Sequence, residues 1–256
     1  MTWTETGHPA AGLAALLLGA LLGLLVPRLI GLIPEPEPDP EPEAGKDETE
    51  AGPELPALPP KILYRTIADE PGLALQASVL SALGCAVVAA SVGRQWSLVF
   101  LLPVVPVGAA LALVDARTRL LPTRLILPTH AAVIAVAVAV GFATDDTAAL
   151  IRAGTGMVVV RSIFWVLWWF RSSGMGFGDV RLSALLAFVL GYLGTAELLI
   201  GIYAGFVVFG VISIGVLLVR RRKAYLKTRV PFGPFMLIGA LVGIALGPWI
   251  ATGLGY

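Results

Sequence analysis

Gly72–Asp115 reads GLALQASVLSALGCAVVAASVGRQWSLVFLLPVVPVGAALALVD. Two apolar runs, Gly72–Val92 and Trp96–Val114, are separated by Gly93-Arg94-Gln95, and the second ends directly on Asp115. Each run holds about 20 residues, the length that crosses a hydrocarbon core of about 30 Å at about 1.5 Å per residue. Neither shows the polar face that a helix on a water-soluble core would carry. The whole chain has the same character, with 57% hydrophobic residues, 14% charged residues and a mean hydropathy of +0.86. Soluble domains carry about 25% charged residues. The sequence therefore predicts an all-α, polytopic integral membrane protein.

Six further runs complete the expectation of about eight spans: Pro9–Ile33, Leu125–Ala143, Ala148–Phe170, Leu182–Leu193, Leu198–Val219 and Phe232–Ile250. Leu182–Val219 is nearly continuous and too long for one crossing, so a reversal is expected near Gly191–Glu197, with Gly191 and Gly194 suited to a tight turn. The N-terminal segment Met1–His8 has no Lys or Arg and Glu5 precedes the first run, so the first run reads as a retained anchor with its N-terminus outside. That orientation places Pro34–Pro71, Asp115–Arg124, Arg171–Arg181 and Arg220–Arg229 in the cytoplasm, and these segments hold nearly every Lys and Arg, as the positive-inside rule requires. Three parts are expected: an N-terminal helix (1–33), a Pro/Glu-rich cytoplasmic loop without a packed core (34–71) and a seven-helix membrane domain (72–256).

Several functions are disfavoured by what is missing. The net charge of +1 provides no general attraction to nucleic acid. Cys85 is the single cysteine, so there is no internal disulfide and no cysteine cluster for zinc. No HExxH, phosphate-binding loop or dinucleotide fingerprint occurs. A Ser-His-Asp triad would have to use His8, outside the membrane, or His130, inside the fourth span, where a packed helix residue is the plainer reading. Arg161, in the middle of the fifth span, is expected to have an internal partner.

Two acids remain. Asp115 follows the third span and Asp179 precedes the sixth, and both fall at the same predicted membrane face. Gly176-Phe177-Gly178-Asp179 puts two glycines beside the second acid, where they allow close backbone approach and a positive φ. Two carboxyls brought together do not both ionise readily and tend to share a proton. One then acts as base on a water while the other polarises a carbonyl. Membrane carboxylates also serve transporters, but those sites usually lie near the bilayer midplane, not at one edge.

Three stretches taken together resemble the bacterial prepilin peptidases, or type IV leader peptidases, of the GxGD aspartic protease group. ALVDARTRLLPTRLILP carries Asp115, Leu121-Pro122 and Pro128; GMGFGDVRLSALLAFVLG carries Gly176, Gly178, Asp179, Arg181 and Leu182; RVPFGPFMLIGALVG carries Pro231-Phe232-Gly233-Pro234-Phe235. The resemblance implies an aspartic endopeptidase that removes a short basic leader from prepilin or pseudopilin precursors at the cytoplasmic face of the cell membrane. It implies Asp115 and Asp179 as the catalytic pair, with no metal and no cofactor. Gly176, Gly178, Pro122, Pro231, Gly233 and Pro234 would shape the loops or position the substrate. Presenilin-like proteases, which carry a Pro-Ala-Leu block near the C-terminus, fit the last stretch less well. Larger members of the prepilin branch carry paired Cys-x-x-Cys motifs linked to N-methylation, and the Pro/Glu loop here has none. That acidic loop is a candidate attractor for a basic leader, and the cluster Arg220–Arg229 is a candidate contact for anionic membrane lipids.

Overall fold

The computed structural model describes residues 9–35, 62–93, 95–170, 175–220 and 231–253. They form ten helices: α1 (Pro9–Gly23), α2 (Val26–Gly31), α3 (Tyr64–Ala68), α4 (Leu73–Val92), α5 (Leu98–Thr118), α6 (Thr123–Ala143), α7 (Thr147–Phe170), α8 (Phe177–Leu193), α9 (Thr195–Arg220) and α10 (Gly233–Gly253). No strand occurs among the described residues. Seven segments are long and apolar enough to cross a membrane, with α1 and α2 joined in one of them. Pro27 explains that join, because it cannot donate to the carbonyl four residues earlier and the helix restarts after Gly23. The seven segments make this an all-α, multi-pass membrane protein. About eight spans are expected; the predicted sixth corresponds to α8, which begins five residues earlier than expected and, at 17 residues, is not one of the seven segments. The acidic stretch 36–61 and the basic cluster 221–230 lie outside the described residues. The ends of the former are drawn together by Glu35, whose carboxylate accepts the N–H groups of Tyr64 (2.7 Å) and Arg65 (2.9 Å) at the start of α3.

Helix α8 is the centre of the bundle. From Asp179 to Tyr192 every residue except Arg181 is buried. A helix that is apolar all round belongs in an interior. Its C-terminus is held by Arg152 of α7, which donates to the carbonyls of Gly191 and Tyr192, both at 2.7 Å. The reversal into α9 is made by Gly194 alone, in extended conformation. Gly191 takes no part in that turn. It lies within α8, where an added Cβ would stand 3.1 Å from the backbone of Arg152 and Ala153. Arg161 departs from expectation: it is exposed and makes no hydrogen bond among the described residues. His130 behaves as a packed helix residue, its ring 6.2 Å from that of Phe188.

Around this centre, glycines let backbones approach closely, as in membrane helix pairs generally. Gly239, Gly243 and Gly247 of α10 face α9, where a Cβ on Gly239 would fall 2.4 Å from the Gly205 nitrogen and one on Gly243 would fall 2.5 Å from the Glu197 carbonyl oxygen. Gly19 and Gly23 bring α1 equally close to α4. Replacing Gly243 by Leu is expected to force α9 and α10 apart and to destabilise the fold by about 1–3 kcal/mol. Equilibrium unfolding of the purified protein in mixed micelles, against wild type, measures this.

Candidate functional site

Helix α5 runs toward one end of the bundle, and α8 and α10 both start there. Asp115 lies in the last turn of α5 and Asp179 is the third residue of α8. Both are buried, at 3% and 6% exposure. They are linked through Leu121, which lies against both Gly178, next to Asp179, and Gly233, whose N–H holds Asp115. Each accepts one backbone amide through its Oδ2. The Gly176 N–H donates to Asp179 at 3.0 Å, and the Gly233 N–H, at the start of α10, donates to Asp115 at 2.9 Å. The structure thus joins the two acids that the sequence separates by 64 positions.

The glycines act through space and amide position. Gly176 has φ −76° and ψ 148°, and Gly178 is helical, so the positive φ expected beside Asp179 does not occur. Gly176 is the residue before the helix, and its extended backbone turns its N–H toward Asp179. At Gly178 a Cβ would fall 2.6 Å from the Leu121 Cβ, and at Gly233 one would fall 2.8 Å from the Asp115 Oδ2. These two positions admit no side chain, whereas a Cβ on Gly176 meets nothing closer than 3.5 Å. The prolines set helix starts. Pro122 precedes α6 with φ −68°, and its carbonyl accepts the N–H groups of Leu125 and Ile126. Pro234 is the second residue of α10, where its missing N–H is no loss. Pro231 lies just upstream, next to Phe232, whose ring packs against Phe164, Phe206 and Phe209 and anchors the α10 entry.

Several participants were given no role by the sequence. Arg117 donates to Glu70 (2.7 Å), to Gln76 (3.1 Å) and to the Leu113 carbonyl (3.0 Å), fixing the end of α5 to the start of α4. Arg181 donates to Thr123 at the start of α6 and covers the Phe177 ring at 4.6 Å, while Trp168 packs edge-on against the same ring at 4.9 Å. Leu121 touches both Gly178 and Gly233. The available signal was the repeated Asp-x-Arg, because two positions apart on a helix point to nearly opposite sides. Among the described residues, no group of three or more His, Cys, Asp and Glu is placed to hold a metal ion.

Residues 102–252 match the type IV leader peptidase family. A prepilin leader peptidase/N-methyltransferase of Pseudomonas aeruginosa is 31% identical over 144 residues, which cover 55% of this chain and 47% of the relative. Proteins of the same description from Aeromonas hydrophila and Aeromonas salmonicida are each 29% identical over 170 residues, or 66% of this chain and 57% and 56% of the respective relatives. The chain thus spans about half the length of the curated relatives it matches. No solved structure matches it.

Gly178→Ala and Gly233→Ala are each expected to lower stability by about 1–3 kcal/mol through overpacking, while Gly176→Ala stays within about 0.5 kcal/mol of wild type. Thermal unfolding of the three purified variants in one detergent checks the ordering.

Proposed function

The chain belongs to the type IV leader peptidase family, and from that premise we propose that it is an aspartic endopeptidase using Asp115 and Asp179 as its catalytic pair. The observation that carries this reading is the convergence of two buried carboxyls from separate helices, each holding one backbone N–H, at one end of a membrane bundle. Two like charges held together do not both ionise readily, so the pair retains one proton. The ionised member takes a proton from water as the oxygen attacks the peptide carbonyl. The protonated member donates to the developing oxyanion. The proton taken from water passes from the first member to the departing amine as the C–N bond breaks, and the second member recovers its proton from the hydroxyl as the carbonyl reforms. Backbone amides at Gly176 and Gly233 each hold one oxygen of a carboxyl, which fixes how the carboxyls are presented to the water. The chemistry needs no metal and no cofactor.

The proposed substrates are prepilin-like or pseudopilin-like precursors, with a short basic leader followed by an apolar helix. The relatives are described as prepilin leader peptidases, and a site at the end of the bundle suits a peptide bond at the end of a membrane helix. We place that end at the cytoplasmic face of the cell membrane, because the described segments there carry Arg28, Arg65, Arg117, Arg119, Arg124 and Arg181, whereas among the described residues the opposite end carries Arg152. The peptidase unit is assigned to residues 72–256. N-methyl transfer, which the relatives' description includes, is not proposed, since the chain has no cysteine pair.

Asp115→Asn and Asp179→Asn are each expected to reduce leader removal on the order of 10³-fold or more while leaving the protein in the membrane. The assay co-expresses each variant with a prepilin-like precursor and follows its size and N-terminal mass. Cleavage at the wild-type rate by either well-expressed variant would overturn the paired mechanism. A shared-proton pair also predicts a bell-shaped dependence of rate on pH, which each Asn variant abolishes.

A further inference from the structure

The connection between α5 and α6 is four residues long, and every one of them is constrained. Arg119 closes α5 in the left-handed region, with φ 57° and ψ 27°, and its N–H donates to the Asp115 carbonyl at 2.8 Å. Thr118 accepts the Leu120 N–H at 3.2 Å and donates to the Val114 carbonyl at 2.9 Å. Pro122 has its φ fixed by its ring. Leu121 is thereby presented to the site on a short and stiff support.

Its two contacts identify what it does there. A Cβ on Gly178, the residue before Asp179, would fall 2.6 Å from the Leu121 Cβ and 3.3 Å from its carbonyl oxygen, so Leu121 packs directly on that glycine. The Leu121 Cδ2 reaches Gly233, whose N–H holds Asp115. One residue thus stands between the helix that carries Asp179 and the α10 entry whose amide holds Asp115. Arg181 fastens this arrangement three residues further along α8. Its guanidinium donates to Thr123, two residues after Leu121, and is seated over Phe177 in the same helical turn as Asp179. The α6 entry and the α8 entry are therefore clasped together beside Leu121.

We propose that Leu121 is the positioning residue of the aspartate pair, setting the separation of Asp115 from Asp179, and that Arg181 keeps it seated through Thr123. The inference rests on the peptidase reading above. Leu121 touches neither carboxyl's proton and performs no chemistry; it sets a distance. That distance matters twice. It fixes whether one water can reach both acids, and misplacement by about 1 Å can cost on the order of 100-fold in rate. It also fixes their mutual repulsion, which varies inversely with separation. Shrinking Leu121 therefore changes the pH dependence of the reaction as well as its rate, which a loss of folded protein would not do.

The test uses the full chain, purified and reconstituted in lipid, with a prepilin-like precursor as substrate. Wild type, Asp115→Asn, Leu121→Ala, Leu121→Met, Arg181→Ala and Arg181→Lys are compared by kcat, KM and the pH profile of kcat. Leu121→Ala is expected to lower kcat by about tenfold to 100-fold, to change KM by less than about threefold and to displace the pH profile. Leu121→Met, which keeps the volume, should return kcat to within a few-fold of wild type. Arg181→Ala should act in the direction of Leu121→Ala, and Arg181→Lys, which keeps a donor and a cation over the ring, should recover most of the loss. If Leu121→Ala does not fold, Leu121→Val is read in its place, with a several-fold fall in kcat and the same displacement expected. A folded Leu121 variant with wild-type kcat and profile, or with a change in KM alone, overturns the positioning role while leaving the peptidase reading intact. Failure of wild type itself to cleave overturns both.

Discussion

The hydrogen bond from the Gly233 amide to Asp115 joins residues 118 positions apart, and much of the bundle exists in a form that permits it. It forms only if α10 enters at the level of the last turn of α5. A slip of one helical turn, about 5.4 Å, would remove it. What sets that level is the glycine face of α10, where Gly239, Gly243 and Gly247 lock into the backbone of α9, together with the Phe232 ring wedged among three phenylalanines above. Removing a carboxylate from water costs several kcal/mol, and a hydrogen bond to a charged group returns only about 1.5–3 kcal/mol. Two such groups side by side are a net burden on stability, so the packing of the surrounding helices holds them where they are.

The other half of the site is fixed by a helix with almost no free surface. α8 is restrained at its C-terminus by Arg152 and at its N-terminus by Arg181, and both cations act on scaffold atoms. Arg117 does the same for α5. In each Asp-x-Arg the helix turns the guanidinium away from the carboxyl two residues earlier. A guanidinium aimed at the carboxyls would favour ionisation of both and remove the shared proton on which the proposed chemistry depends. Placed behind them, the same charge stiffens the helix ends and leaves the acids to each other.

Most crossings were legible because lipid demands long apolar runs, and Asp115 and Asp179 stood out as candidates because acids at such edges are costly. The family blocks added Gly233 to the candidates as a loop-shaping or substrate-positioning residue, without pointing to its amide. What the sequence could not disclose were pair relations. Arg117 and Glu70 are an ordinary cation and an ordinary acid until α4 and α5 are packed together. Leu121 is one leucine among many, and its importance comes from two glycines far away in the chain. Gly178 and Gly176 look alike in a GxGD, yet one is excluded from bearing a side chain by Leu121 and the other serves through its amide. α8 extends beyond its apolar run because its first five residues include the charged Asp179 and Arg181, which an apolar-run reading places in a loop.

The family match begins at residue 102, within α5, and so leaves α1 to α4 outside it. The physical unit does not divide there. α4 packs against α5 and α10, the two helices that Asp115 and the Gly233 amide connect. Glu70 and Gln76, at the entry to α4, grip Arg117 two residues beyond Asp115, and Glu35 ties the end of the first crossing to α3 directly before them. Segments that carry none of the proposed chemistry thus brace the back of the helix that presents Asp115. A chain cut to the matched region would retain both aspartates, but it would expose the buried α4-facing surface of α5 and leave the Arg117 guanidinium without its carboxylate. The carboxyl pair is therefore a property of the whole bundle, and the boundary of sequence similarity marks where the chemistry-bearing residues lie, not where the structure that positions them begins.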